Sequence, residues 1–304
     1  MKTKKLFLLP ALLLAGCANT SDEKLSILVP TGAPAVAFAS FLGESNFNVS
    51  SEPQVIVAQM VAEKVDIAVL PTNLGVQQIK KGLHYKLAST ITFGNLFIAS
   101  TGLDDDDVMD ESDYIVSFQQ NAVPDKIFKS VYSVDAGLHY VSNAQEAAKC
   151  LKLKKNQTDN NASVEYVLLA EPALTKLAMS GTEFTTYANL QEEYYNKYDS
   201  QKIFQASIFV RDSLEHDRLE SYLARVKSYT SSLLSNASLL EKATQLDVNA
   251  ETTLGIDIAA TVGAISNDNR LGIGYENAYE HKGEIDTFLS IFGMPETSEE
   301  IYFK

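Results

Sequence analysis

The chain has 304 residues, 39 acidic against 25 basic side chains for a formal net charge of −14, and 45 % apolar residues. That balance argues against nucleic-acid binding, where a basic face supplies most of the affinity, and against broad adhesion to anionic lipid. The apolar content with scattered Gly and Pro describes a globular chain, and the length suits two lobes better than one core.

The N-terminus carries Lys2, Lys4 and Lys5, then residues 6–14, apolar apart from Pro10, then Leu14-Ala15-Gly16-Cys17. A charged start, a short apolar run and a small-residue cleavage site predict a secretory signal peptide over 1–16. The run is about half the ~20 residues a spanning helix needs, and no later segment is long and apolar enough to span. The motif resembles a bacterial lipobox, which implies that Cys17 is acylated and becomes the mature N-terminus. One acyl chain holds a membrane only marginally, so durable attachment implies two or three chains of the palmitate class. Residues 17–24 are polar and without periodicity, and read as a tether. The expected location is the extracytoplasmic face of the cell membrane, lipid-anchored and not spanning. Loss of the three signal lysines takes the net charge to −17. Cys150 then remains as the free thiol. His84, His139, His216 and His281 lie far apart in sequence and offer no metal-ligand spacing, so neither metal nor cofactor is expected.

Residues 25–30 read as a short apolar strand, followed by Thr31-Gly32-Ala33-Pro34 and the small apolar run 35–39. A Gly turn, a Pro near the first helical position and an alanine-rich run predict strand, loop, helix. Val57, Met60, Val61 and Val65 keep helical spacing. Residues 66–71 form a second buried strand, and Thr72-Asn73-Leu74-Gly75 opens a helix running toward Lys80. Residues 87–100 are β-like, broken at Phe93-Gly94-Asn95. The acidic run 104–107 reads as a solvated loop, because it lacks the spaced oxygens and Gly turn of a calcium site.

The pattern restarts at 114–118, with the loop 119–124 and a helix over 125–132; the restart marks a second lobe. Residues 152–161 read as an exposed turn. Residues 164–170 form a buried strand ending in Glu171-Pro172, and 173–179 a helix. Residues 204–211 read as a strand leading back to the first lobe. Leu219, Tyr222, Leu223, Val226, Tyr229 and Leu233 make one amphipathic stripe; Ala278, Ile285, Phe288, Leu289 and Phe292 make another, closed by Gly293. The alternation of strand and helix predicts an α/β protein with mainly parallel sheets, whose ligands sit beyond the carboxyl ends of strands.

Taken in order, the segments at 29–34, 66–73, 93–97, 119–124, 169–173 and 205–210 resemble the type II periplasmic-binding-protein superfamily. The likeness runs over residues 25–303 and is nearest to the nitrate/sulfonate/taurine and thiamine-pyrimidine-like solute-binding branch of ABC importers. It implies a two-lobed clamp with each lobe a mainly parallel sheet flanked by helices. Lobe one would be 25–98 plus 206–304, and lobe two 99–205. Two crossing hinge segments would lie near 93–95 and 205–207. It also implies capture of a small solute and delivery to a membrane permease with its ATPase, by a monomer that needs no catalysis.

The candidate ligand-binding residues are Thr31, Gly32, Ala33, Thr72, Asn73, Asn95, Gln119, Gln120, Asn121, Glu171 and Ser207. Thr31, Gly32 and Ala33 offer N–H groups and a hydroxyl to an anionic oxygen, or form a plain helix cap. Thr72 and Asn73 share that ambiguity. Asn95 interrupts an apolar strand, and Gln119-Gln120-Asn121 is denser in polar groups than a turn needs. Glu171 either pairs with a ligand ammonium or ring N–H, or complements the following helix N-terminus. Ser207 belongs to the hinge that the resemblance implies. Only Arg211 and Arg270 fall near segments that reach the cleft, which disfavours a strongly anionic solute. Phe38, Phe93, Phe97 and Phe118 offer rings, so a small heteroaromatic or amine-bearing solute is the expectation. The alternatives are an elimination enzyme on the same fold, with Glu171 as base, and a sensory or adhesion lipoprotein.

Overall fold

The computed structural model describes residues 24–104, 108–134, 137–199 and 201–304. The expected signal peptide, Cys17 and most of the tether lie outside the described residues, as do residues 105–107 of the acidic run.

In chain order the elements are β1 (Ile27–Pro30), α1 (Ala33–Ala37), β2 (Phe47–Ser50), α2 (Pro53–Val61), β3 (Ile67–Pro71), α3 (Thr72–Lys80), β4 (Tyr85–Thr92), β5 (Leu96–Ser100), β6 (Ile115–Phe118), α4 (Val123–Val131), β7 (Leu138–Val141), α5 (Ala144–Leu153), the hairpin β8 (Lys155–Asn156) and β9 (Ala162–Ser163), β10 (Tyr166–Ala170), α6 (Ala173–Met179), β11 (Thr185–Asn189), α7 (Leu190–Lys197), β12 (Ala206–Arg211), α8 (His216–Ser235), α9 (Leu239–Thr244), α10 (Ala250–Leu254), α11 (Ile258–Ser266), β13 (Ile273–Asn277) and α12 (Lys282–Ser290). The expected first strands and helices stand at their expected places, and the stripe from Leu219 to Leu233 is the buried face of α8.

Two sheets make two lobes. The first runs β13-β4-β12-β3-β1-β2 and the second β11-β5-β10-β6-β7. Strands β1 and β3 read as unbroken apolar runs because helices cover both faces of the sheet. Val29, Val69, Ile208 and Val210 pack on one side with Phe38, Leu223, Leu240 and Ile265. Leu28, Leu70 and Phe209 pack on the other with Ile56, Val76 and Phe288, and this core continues into the second lobe through Leu96, Ile98, Val116 and Leu168.

The two-lobed α/β clamp is as expected, but its sheets are mixed rather than mainly parallel. Strands β1, β2 and β3 are parallel to one another, as are β6, β7 and β10. Strand β12 is antiparallel to β3 and β4, and β5 to β10 and β11. The cause is where these strands begin. Both β5 and β12 start at the junction between lobes and run away from it, whereas β3, β4, β10 and β11 run toward it.

Two crossings join the lobes, Phe93–Asn95 and the segment before β12. Strand β5 pairs wholly in the second sheet, so the first crossing lies at 93–95, where the hinge is expected, and the division drawn between 98 and 99 falls inside a strand. The crossings are pinned side by side: the Gln205 amide donates to the Thr92 carbonyl at 2.9 Å and the Phe93 amide to the Gly272 carbonyl at 2.7 Å. At Gly272 a Cβ would stand 2.2 Å from the Gly94 carbonyl oxygen, and φ is +66°. Only glycine allows both the turn and the approach.

Candidate functional site

The carboxyl ends of β1, β3, β6 and β10 all point at the junction between lobes, so the loops that follow them face the cleft. The structure sorts the eleven candidate residues into three groups.

Thr72, Ser207, Asn95 and Glu171 are buried and hold one another or their neighbours. The Ser207 hydroxyl lies 2.7 Å from both the Thr72 and Thr90 hydroxyls, tying β12 to the start of α3 on one side and to β4 on the other. The Asn95 amide donates from Nδ2 to the Glu171 carbonyl at 3.2 Å, while Gln205 Nε2 donates to Asn95 Oδ1 at 3.4 Å. Asn95 is thus a clasp between the two crossings and β10.

Thr31, Gly32, Ala33 and Asn73 line the edge of the first lobe. The amides of Thr31 and Gly32 are already committed, donating to the Ser50 and Leu254 carbonyls at 3.1 and 2.8 Å. Helix α1 has five residues, too short for a strong dipole. Ala33 is buried in the core, whereas Thr31, Gly32 and Asn73 are half-buried. Asn73 Oδ1 is shielded from solvent without a hydrogen-bond partner among the described residues.

Gln119, Gln120 and Asn121 are exposed at the edge of the second lobe. Gln119 and Asn121 hold left-handed backbone, φ +55° and +63°. Asp125, fully buried in the first turn of α4, fixes that shape. Its Oδ2 accepts the Asn121 amide at 2.7 Å, and its Oδ1 accepts the Tyr140 hydroxyl at 2.7 Å and faces Lys129 at 3.5 Å. Burial raises the Tyr140 phenol, and the bond to Asp125 adds to the rise. The loop is therefore built: its three side chains point outward while its backbone is held from beneath.

Glu171 is the meeting point of the lobes. Its side chain is 1 % exposed, and Oε1 accepts from Arg270 Nε at 2.8 Å. Oε2 accepts the Thr175 amide in the first turn of α6 at 2.9 Å. Arg270 stacks over the Phe97 ring at 4.1 Å and brings its other nitrogen within 3.5 Å of the Thr186 hydroxyl. Nearby, Lys176 of α6 faces Asp257, the N-cap of α11, at 3.3 Å. The Ala260 amide, and then Lys176, hold the Asp257 carboxyl below its usual range.

A cavity lies on each side of this contact. One, about 870 Å³, is walled by Phe93, Phe97, Tyr195, Lys202, Arg270 and Glu276 among others. The other, about 720 Å³, is walled by α5 and α6 of the second lobe and residues 251–257 of the first. None of the eleven candidates lines either cavity. Of the two arginines expected near the cleft, Arg270 reaches it. Arg211 pairs with Asp66 at the far end of β12, about 16 Å along the strand from Ala206. Of the four rings, Phe93 and Phe97 line the larger cavity, whereas Phe38 and Phe118 are core. The partnership of Arg270 with Glu171 carries no local signal, since 99 residues separate them. Among the described residues no group of His, Cys, Asp and Glu could hold a metal ion, and no helix is long and apolar enough to cross a membrane.

No protein-family model matches the chain, and no curated protein matches it. Solved structures do. A crystal structure described as an ABC transporter from Parabacteroides distasonis superimposes with a TM-score of 0.74 at 18 % identity, covering 93 % of this chain and 99 % of that one. The periplasmic aliphatic sulphonate binding protein SsuA from Escherichia coli gives 0.63 at 10 % identity, covering 90 % and 87 %. The alkanesulfonate-binding protein SsuA from Xanthomonas axonopodis pv. citri, bound to MOPS, gives 0.59 at 11 % identity, covering 92 % and 94 %. At such identities the likeness establishes the fold, the two-lobed arrangement of periplasmic binding proteins.

Proposed function

We propose that this chain is the solute-binding component of an ABC importer, lipid-anchored at Cys17 on the extracytoplasmic face of the cell membrane. It acts as a monomer that closes two lobes on a small organic solute and delivers it to a permease and ATPase. The observation that carries the reading is the junction: two crossings between two lobes, with the carboxyl ends of parallel strands from both sheets directed at it. Such a hinge lets closure follow from a solute's preference for the closed form. The similar structures, binding proteins for sulfonates among them, support the same class of function.

The solute is assigned to the cleft between the Thr31-Gly32 and Asn73 edge and the Gln119-Gln120-Asn121 loop. Left-handed backbone at Gln119 costs about 1 kcal/mol or more, and a fold tends to keep such strain where function uses it. Thr72, Ser207, Asn95 and Ala33 support that cleft from behind and do not touch solute. Glu171, the carboxylate an elimination would enlist, is engaged by Arg270 and the Thr175 amide, which favours binding over turnover.

The test is a thermal-shift screen of residues 24–304 against vitamins, pyrimidines, amines, amino acids and sulfonates. A solute at a hundred times its dissociation constant adds about 2.7 kcal/mol of stability. The expected hit loses its shift in Asn121→Ala and Asn73→Ala. A panel without any shift, or a hit that is turned over, sinks the reading. For the anchor, Cys17→Ser is expected to release the protein from the membrane fraction and to abolish labelling by a palmitate analogue.

A further inference from the structure

The start of α6 carries several contacts that cross from one lobe to the other, and one that braces them. Glu171 immediately precedes the helix and pairs with Arg270 at 2.8 Å; Thr175 gives its amide to Glu171 Oε2; Lys176 faces Asp257 at 3.3 Å. A Cβ on Gly263 of α11 would lie 3.0 Å from the Thr175 methyl, so α6 and α11 touch closely at this point.

These contacts are not equal. Lys176 is 65 % exposed and its bridge to Asp257 is solvated, so it contributes little. Glu171 is buried at 1 % and Arg270 exposed at 22 %, with the guanidinium packed on the Phe97 face. Separation of the lobes would move Arg270, carried just ahead of β13, away from three partners of the second lobe: Glu171, Phe97 and Thr186. The Glu171 carboxylate would keep only the Thr175 amide.

We infer that Arg270 is a positioning residue for closure: its pair with Glu171 is a latch that exists only when the lobes meet and sets how far the clamp closes before solute contributes. The residue that sequence alone offers to a ligand ammonium is on this account held by the protein's own guanidinium. A solute need supply only the free energy the latch leaves outstanding, which lowers the share of its affinity spent on moving the lobes. The role assigned to the latch rests on the solute-binding reading. Its test needs no solute, so either can fail alone.

The experiment is single-molecule energy transfer between dyes on the outer surfaces of the two lobes, on the full chain in detergent without added ligand. Wild type, Arg270→Met, Arg270→Lys, Glu171→Gln and the double variant Arg270→Met/Glu171→Gln are compared. Met keeps an apolar body on Phe97 and removes the charge. The closed fraction is expected to dominate in wild type, and the open-to-closed ratio to rise on the order of tenfold or more in each single charge-neutralising variant, as for loss of one charge-assisted hydrogen bond. The double variant should go little further, because both changes remove one interaction, and Arg270→Lys should restore part of the closed fraction. Distance distributions that superimpose across wild type and variants would overturn the latch, as would fully additive effects or a wild type that is open throughout.

Discussion

Gly75 in α3 and Phe209 in β12 occupy neighbouring space so closely that a Cβ on Gly75 would stand 2.0 Å from the Phe209 ring. The far end of the aromatic ring reaches up to the helix because the helix offers no side chain there. That contact seats α3, and with it Thr72 and Asn73 at its start, against the strand that returns from the second lobe.

Gly75→Ala is therefore expected to destabilise the fold. Overpacking of this kind costs about 1–3 kcal/mol, read as a fall of roughly 2–4 °C in melting temperature for each kcal/mol in a chain of this size. Phe209→Leu in the Gly75→Ala background should recover part of the loss. An unchanged melting temperature for Gly75→Ala would show that ring and helix move apart without strain.

Ser207→Ala is expected to cost more than one hydroxyl is ordinarily worth. Both Thr72 and Thr90 rely on it at 2.7 Å, and all three are fully buried. Stranding a buried hydroxyl costs about 1–3 kcal/mol. Replacing all three together, with Val at 72 and 90 and Ala at 207, should destabilise less than the sum of the single changes. Urea titrations of the four variants check this.

Acid should weaken the N-terminal cap of α11. The Asp257 carboxyl is lowered by the Ala260 amide and by Lys176. A group whose folded pKa is depressed contributes stability above its unfolded value, near 3.8, and loses it as pH falls through the folded one. Stability measured by urea from pH 6 downward should fall less steeply below about pH 4 in Asp257→Asn than in wild type. Parallel curves would remove Asp257 from the acid response.

Cys150 is 5 % exposed within the second lobe, and burial pushes its thiol up. Since the thiolate is the reactive form, native protein should react with a disulfide reagent far more slowly than unfolded protein at the same pH. Fast labelling of native protein would mean that α5 opens readily.

Much of the fold is legible in residue patterns. Gly32-Ala33-Pro34 marks the start of α1 because Pro fits an early helical position, and unbroken apolar runs mark β1, β3 and β10. Strand direction is not legible, since an apolar run reads the same both ways; β12 is antiparallel to β3 only because the chain re-enters from the junction. Strand β13, Ile-Gly-Tyr-Glu-Asn, shows no alternation and escapes notice. Candidate loops are found from composition, yet whether a polar side chain there faces solute or a neighbour depends on residues distant in sequence. Glu171 and Arg270 are the clearest case, and Ser207 between Thr72 and Thr90 is another.

The placement of β12 also dictates an order of assembly. It lies between β3 and β4, which do not pair with each other, so the centre of the first sheet stays unfilled until residue 206 has been made. By then all five strands of the second sheet, from 96 to 189, have emerged as one uninterrupted piece. A chain threaded from its N-terminus can thus complete the second lobe first, while β1 to β4 wait with unpaired edges. The lobe that comes first in sequence is the last to finish, and a holding factor that shields strand edges would be needed most over that interval.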